Sequence, residues 1–371
     1  MSLPGSIEVL EGRTRLQVPH NHSSGGPGKR IGRVFYNSQM AFNRDISVMF
    51  LRARPVRSAL DAMAGTGARA IRWAVETDVS DITANDRDPN AVEYIRANID
   101  LNNVNARCNS TNEDLRCMLA RRAFDMIDID PFGSPVHYIP AAVQAVKRRG
   151  LLAITATDTA PLAGTYPKKS MRRYGAVSMR SPFGHESGLR ILIGHVMREA
   201  AKEDRGARCL LSFYADHYFR IYLQMEEGGA AADRCLKQMG YVENDPATGY
   251  FTYGLEYSNR SAGPLWLGPL HDHELLSDME ATNDLSEVRR CEKYLELWRS
   301  ELDMPFFYEN DELSSFLGIS PPRMDLLLEK LNEVGKASKT HFSPTAIKTD
   351  LPIEDILSIY QEASASNLRH D

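Results

Sequence analysis

Cysteine is scarce in this 371-residue chain, and the five present (Cys108, Cys117, Cys209, Cys235 and Cys291) stand alone. With no C-x-x-C pair, neither a disulfide framework nor a thiolate zinc site is expected, and a reducing cytoplasm fits. No apolar run is long enough to span a membrane, and no basic start with an apolar core marks a secretory leader, so the expected location is cytoplasmic. Internal repeats and low-complexity tracts are missing too. A surplus of positive charge is also lacking. The formal net charge of −5 argues mildly against indiscriminate nucleic-acid binding, although a local stripe matters more than the average. What remains is an ordinary globular composition, 43% hydrophobic and 25% charged, in a chain long enough for two domains with cores of their own.

The run Val56 to Trp73 reads as strand, glycine loop and helix, with Asp61 at the strand end and Gly65 and Gly67 where the backbone must turn tightly. The loop has neither the full G-x-G-x-x-G pattern nor a Walker lysine, so a phosphate cradle is not expected. Asp81 to Asp86 reads as the next strand and ends in an acid about 20 residues past the glycines, the spacing of a carboxylate that holds ribose hydroxyls. Asp88-Pro89 supplies an N-cap and a first-turn proline for a helix from Asn90 to Leu101. Asp114 follows a short strand containing Cys108. It suits an adenine amino group and an N-cap before Leu115 equally well.

Phe124 to Ile129 reads as a buried strand that delivers Asp130, Pro131, Phe132 and Gly133 at its C-terminal end, where open α/β sheets bind ligands. An acid, a proline and an aromatic ring there resemble the Asp-Pro-Pro-Tyr type motif of methyltransferases that modify nucleobase amines. The residue types suit that chemistry. An exocyclic amine is a poor nucleophile because its lone pair is delocalised into the ring. Asp130 and the Pro131 carbonyl would accept its two N–H bonds, and Phe132 would stack on the base, worth about 1–3 kcal/mol. The plain alternative is a strand-end turn in which Asp130 serves local backbone N–H groups.

Together these residues look like an S-adenosylmethionine-dependent methyltransferase. Six blocks in order narrow the resemblance to the tRNA (guanine-N2)-dimethyltransferase family, which modifies guanine 26. They are Val34 to Asp45, the Asp61-Ala-Met-Ala-Gly-Thr-Gly67 loop, Asp128 to Pro135, Asp216 to Arg220, Gly263 to Gly268 and Ser338 to Phe342. The match covers nearly the whole chain. It implies that Arg44 and Arg69 contact the cofactor on its carboxylate side, with Asp61, Gly65 and Gly67 in the same site. Asp86 would hold the ribose, and Asp114 with the Leu115 backbone the adenine. Asp130 would be the catalytic acid, with Pro131, and Phe35 and Phe132 would lie near the target base. Read alone, Arg44 suits an ion pair with Asp45 or another acid nearby, and Phe35 a core position. Some members carry a cysteine-rich zinc-binding insert before the Gly-Pro-Leu-Trp block. Residues 241 to 270 hold no cysteine here, so no metal is carried over.

Tyr166 to Tyr174 reads as a long basic loop on the active edge, where Lys168, Lys169, Arg172 and Arg173 suit phosphate contacts beside tyrosines. Other basic groups are Arg13/Arg15, Lys29/Arg30/Arg33 and Arg52/Arg54/Arg57. Residues 1 to 35 read as extended segments with a flexible loop over 23 to 28. Strands and helices alternate from 56 to about 225, with His217 between two antiparallel strands as a structural histidine. The pattern turns helical after Pro264 to Pro269. The segments 311–317, 322–334 and 336–348 resemble a winged helix. The expected fold is α/β, a Rossmann-like class I methyltransferase sheet with an N-terminal extension and a smaller, mainly helical, winged-helix-like α+β C-terminal domain. Its expected units are 1–262 (1–55 the extension) and 263–371, the latter tRNA-binding. The expected partners are S-adenosyl-L-methionine and tRNA, with no membrane and no obligate protein partner. Two rivals stand beside this reading: another base-amine methyltransferase, such as an N6-adenine enzyme, and a noncatalytic RNA-binding protein.

Overall fold

The computed structural model describes residues 3–22, 34–245, 247–248 and 250–367. The loop expected over 23–28, and Lys29, Arg30 and Arg33, lie outside these. The extended N-terminal segments form an antiparallel hairpin of β1 (Ser6–Glu11) and β2 (Thr14–Pro19). A 3-10 turn, Ser38–Met40, leads into α1 (Ala41–Ala53). The alternating region then forms β3 (Ser58–Asp61), α2 (Ala68–Glu76), β4 (Asp81–Asn85), α3 (Pro89–Leu101), β5 (Cys108–Thr111), α4 (Leu115–Leu119) and β6 (Phe124–Ile129). It continues with α5 (Ile139–Ala145), β7 (Val146–Ala156), α6 (Thr159–Leu162), α7 (Pro167–Tyr174), α8 (Gly184–Ala201), β8 (Arg205–Ala215) and β9 (Tyr218–Glu227).

Seven strands form one sheet in the order β5-β4-β3-β6-β7-β9-β8, parallel from β5 to β7, with β9 antiparallel to both its neighbours. The strand alternation sorts side chains to two faces. Ala59, Met126 and Ala153 pack with α1, α2 and α3, whereas Leu60, Ile127 and Ile154 pack with α4, α5 and α8. Chain order reverses between β3 and β6, and that switch point opens a crevice beyond the strands' C-terminal ends.

The rest comprises α9 (Gly229–Leu236), β10 (Met239–Asn244), β11 (Phe251–Gly254), β12 (Ala262–Trp266), α10 (His273–Asp278) and α11 (Val288–Ser300). After it come β13 (Tyr308–Glu309), α12 (Asn310–Leu317), α13 (Met324–Val334), β14 (Ala337–Lys339), β15 (Ala346–Thr349) and α14 (Ile353–Asn367). The winged-helix-like element is a three-stranded sheet, β13-β15-β14, with α12, α13 and α14 around a core of Leu313, Leu327, Leu331, Ile347, Ile356 and Tyr360.

Two expectations change. The division at 262/263 falls inside β12, which pairs with β10, and Leu275, Leu276, Leu295 and Trp298 of α10 and α11 pack into the core beside α1. The separate C-terminal core therefore begins near Tyr308. Residues 167–174 form helix α7 instead of a loop. Pro167 opens it, Gly175 closes it in the left-handed conformation, and Ser170 and Tyr174, four residues apart, give it a buried face.

Candidate active site

Of the two loop glycines, Gly65 lines the cleft, whereas Gly67 sits behind it at the start of α2. Gly65 (φ 56°) lies so close to Phe35 that a Cβ would stand 3.0 Å from its carbonyl oxygen. Gly67 (φ 80°) starts α2 against Ile95. Asp86, one residue past β4, accepts the Gly65 N–H at 2.9 Å and the Asp88 N–H at 2.9 Å. Burial raises its carboxyl's pKa, and those two N–H groups oppose the rise. Asp88 caps α3 as expected, accepting from Asn90 N. The resulting cleft is about 730 Å³, with Arg44, Asp61, Asp86, Asp114, Asp130 and Phe132 among its walls.

Asp114 is the N-cap its sequence suggested, and it also faces the cleft. It caps α4 by accepting from Arg116 N and Cys117 N. Its hydrogen bond to the Arg116 side chain lowers its pKa. Leu115, the first helical residue, lines the same wall.

The two arginines are held by acids. Arg44 is buried, with its Nε 2.6 Å and its Nη2 2.5 Å from the carboxylate of Glu11, so its partner comes from the N-terminal hairpin and not from Asp45. Burial works against ionisation of Glu11, but the Arg44 and Arg72 guanidiniums and the Tyr36 hydroxyl outweigh it and hold its pKa at about 2. Arg69 donates to Asn43 Oδ1 at 2.9 Å, pairs with Asp130 Oδ2 and stands 3.7 Å from Asp128. Arg220 forks onto Asp128 from the other side, with Nη1 at 3.0 Å from Oδ1. Asp61 is buried at the end of β3 and accepts the Ala70 N–H at 3.2 Å. Burial, reinforced by Asp128 and Asp130, exceeds the help of Arg69 and pushes its pKa up to about 7.

At the cleft mouth Phe132 is 54% exposed, and its ring meets Phe35 edge-on at 4.7 Å. Both rings, Asp130 and Pro131 line one cavity with the glycine loop. The basic residues do not reach it. On α7, Lys168 and Arg172 are exposed and Lys169 is half-buried, while Arg173 turns inward onto Asp158 at 2.7 Å. Arg13 and Arg52 pair with Asp284, and Arg15 pairs with Glu8 at the surface. Exposed His217, in the turn between β8 and β9, is not among the cleft residues.

Sequence reading missed several residues here. Asn37 is buried against the cleft, with its Nδ2 unpartnered among the described residues, and the Tyr218 hydroxyl is likewise buried without a partner. Ser134 and Thr157 also line the cleft. Asn37, Ser134 and Tyr218 lie in the blocks that carried the resemblance, which is the signal that points to them. Glu11, far away in sequence, has none.

Comparison with known proteins gives the family. The family model for N2,N2-dimethylguanosine tRNA methyltransferase matches residues 12–361. The tRNA (guanine(26)-N(2))-dimethyltransferase of Pyrococcus abyssi is 38% identical over 380 residues, covering 96% of this chain and 99% of that protein. The enzyme of the same name from Methanosarcina acetivorans is 36% identical over 386 residues, covering 96% of this chain and 98% of that protein. The structure of Trm1 from Pyrococcus horikoshii in complex with S-adenosyl-L-methionine superposes with a TM-score of 0.89 at 36% identity, covering 95% of this chain and 99% of that one. The chain belongs to the N2,N2-dimethylguanosine tRNA methyltransferase family.

Proposed function

We propose that this protein methylates the exocyclic N2 amine of guanine 26 in tRNA, twice, giving N2-methyl- and then N2,N2-dimethylguanosine. One observation carries the reading: the acid, proline and paired rings suited to a base amine share a single cleft with the glycine loop and ribose acid suited to a nucleoside cofactor. Bound S-adenosyl-L-methionine supplies a methyl group on a cationic sulfonium, and the wall acids Asp61 and Asp130, with Asp128 buried behind them, suit that charge.

The residues then divide the work. Asp86 holds the ribose, Asp114 and the Leu115 N–H the adenine, and the Gly65 to Gly67 backbone lets the cofactor lie close. Arg44 engages Glu11 through Nε and Nη2 and keeps Nη1 for the methionine carboxylate. Arg69 grips Oδ2 of Asp130, which leaves Oδ1 to accept an amine N–H while the Pro131 carbonyl accepts the other. This localises the nitrogen lone pair. The new N–C bond forms as the S–C bond breaks, and Asp130 is placed to take the proton the nitrogen sheds. Phe35 and Phe132 hold the base, which leaves its stack to reach the cleft at a cost of a few kcal/mol. Lys168, Lys169 and Arg172 on α7 contact phosphates, Arg173 braces that helix from within, and the C-terminal unit extends the tRNA contact. The protein works in the cytoplasm without an obligate protein partner.

The test is incubation with unmodified tRNA transcript and methyl-labelled S-adenosyl-L-methionine, then digestion and identification of the labelled nucleoside. Label in N2-methyl- and N2,N2-dimethylguanosine at position 26 is expected. Label on adenine would overturn the base assignment, and binding of both substrates without label would overturn the activity.

A further inference from the structure

A hydrogen-bond chain behind the catalytic loop fixes the polarity of one more group in the cleft. Ser134 Oγ lies 2.8 Å from the hydroxyl of Tyr174, whose ring is fully buried. The Tyr174 hydroxyl donates to Asp158 Oδ1 at 2.6 Å, and Asp158 is held by Arg173 at 2.7 Å. Burial and the neighbouring Asp158 push the phenol's pKa up, so it keeps its proton at neutral pH. A phenol has only that one proton to give. With it committed to Asp158, Ser134 must donate to Tyr174 and not receive from it. Ser134 has then spent its own proton and offers the cleft lone pairs alone. The adjoining backbone is strapped in place: Gly133 N–H donates to Thr157 Oγ1 at 2.7 Å, and Thr157 N–H donates to the Gly133 carbonyl at 3.0 Å.

We propose that Ser134 reads the target base, its Oγ accepting the N1–H of guanine, and that Tyr174 and Asp158 are positioning residues that hold it as an acceptor. Guanine carries an N–H donor at N1 directly beside the N2 amine. Adenine presents a bare acceptor at N1, whose lone pair would face those of Ser134. An acceptor beside Asp130 therefore selects guanine, which the acid-proline-aromatic motif does not do by itself. The inference rests on Asp130 and Phe132 forming the base site.

The experiment uses tRNA carrying either guanine or 2-aminopurine at position 26. 2-Aminopurine keeps the amine but lacks the N1–H. Methyl transfer is measured for the wild type, Ser134→Ala, Tyr174→Phe and Asp130→Ala, with cofactor affinity as a check on folding. Ser134→Ala should lower kcat/KM on guanine about tenfold, the scale of one lost hydrogen bond, and leave 2-aminopurine within about twofold. Tyr174→Phe should shift selectivity the same way by a smaller factor, which a merely structural tyrosine would not do. An equal loss on both bases, or an unchanged guanine rate in Ser134→Ala, overturns the proposal. The Asp130→Ala arm separates the two levels. If it abolishes transfer while Ser134→Ala leaves selectivity alone, only the role of Ser134 fails; if it stays active, the base site itself is misplaced.

Discussion

Buried charge is handled in opposite ways at the catalytic edge and at the seam beneath the C-terminal unit. At the seam, Glu301 accepts from the Thr340 hydroxyl at 2.7 Å, takes His341 Nδ1 at 2.6 Å and pairs with Lys348 at 3.0 Å. Lys348 reaches Glu186 of α8 at 3.2 Å, and Arg190 pairs with Glu186 at 2.8 Å. Charges of both signs interleave there, and the Ser338 to Phe342 block serves as an anchor of the C-terminal unit. At the catalytic edge three acids, Asp61, Asp128 and Asp130, share two guanidiniums, Arg69 and Arg220. The surplus negative charge borders a cleft wide enough for a ligand. The seam is closed by its own residues, whereas at the edge Asp61 and Asp130 face an open cleft.

The seam should give the largest effect. Lys348→Ala removes the cation that two buried carboxylates share, leaving Glu186 with Arg190 and Glu301 with His341, and should cost about 3 kcal/mol of stability in chemical denaturation, with cofactor affinity per folded molecule retained. If stability is unchanged, the seam is not closed as described. At the edge, Asp130→Ala should lower methyl transfer by about 100- to 1,000-fold in single-turnover assays, with cofactor affinity nearly intact. The two variants would thus separate stability from activity.

The surplus charge also predicts a pH signature. The Asp61 pKa rises from near 4 in the unfolded chain to about 7 in the fold, so its contribution to stability is fully present below pH 4 and is lost as pH rises towards and through 7. Asp61→Asn should flatten the fall in melting temperature between pH 5 and pH 8 relative to the wild type. Parallel curves would show that Asp61 is ionised throughout. The mildest change is expected outside both regions. Lys168→Ala with Arg172→Ala should weaken tRNA binding and reduce the salt slope by about one per lost phosphate contact, without altering cofactor affinity.

Much of the sheet was legible because its signals are local. Strand alternation, the Asp88-Pro89 cap and the glycine loop depend on neighbours in sequence, and each element they mark is present. Asp86, Asp130 and Phe132, marked by their strand ends, do share one cleft, and Phe35, which only the resemblance pointed to, joins them there. The basic stripe shows where local reading stopped. Its charges suggested a phosphate-binding loop, but Tyr174 finds a buried partner in Asp158, and that tertiary contact gives α7 an inner face. The division at 262/263 moved for a similar reason: the pattern turns helical after Pro264 to Pro269, yet β12 pairs with β10 and forms part of a sheet.

By itself the sequence determined the parallel core, the family resemblance and the identity of the acids at the strand ends, since periodicity and short motifs encode these within a few residues. Only the tertiary structure decided which charges meet. Glu11 reaches Arg44 across 33 positions, Arg220 reaches Asp128 across 92, and Ser134 reaches Tyr174 across 40. Such pairings depend on where distant segments are brought by packing, and burial then sets how strongly each charge or hydroxyl acts on its neighbour.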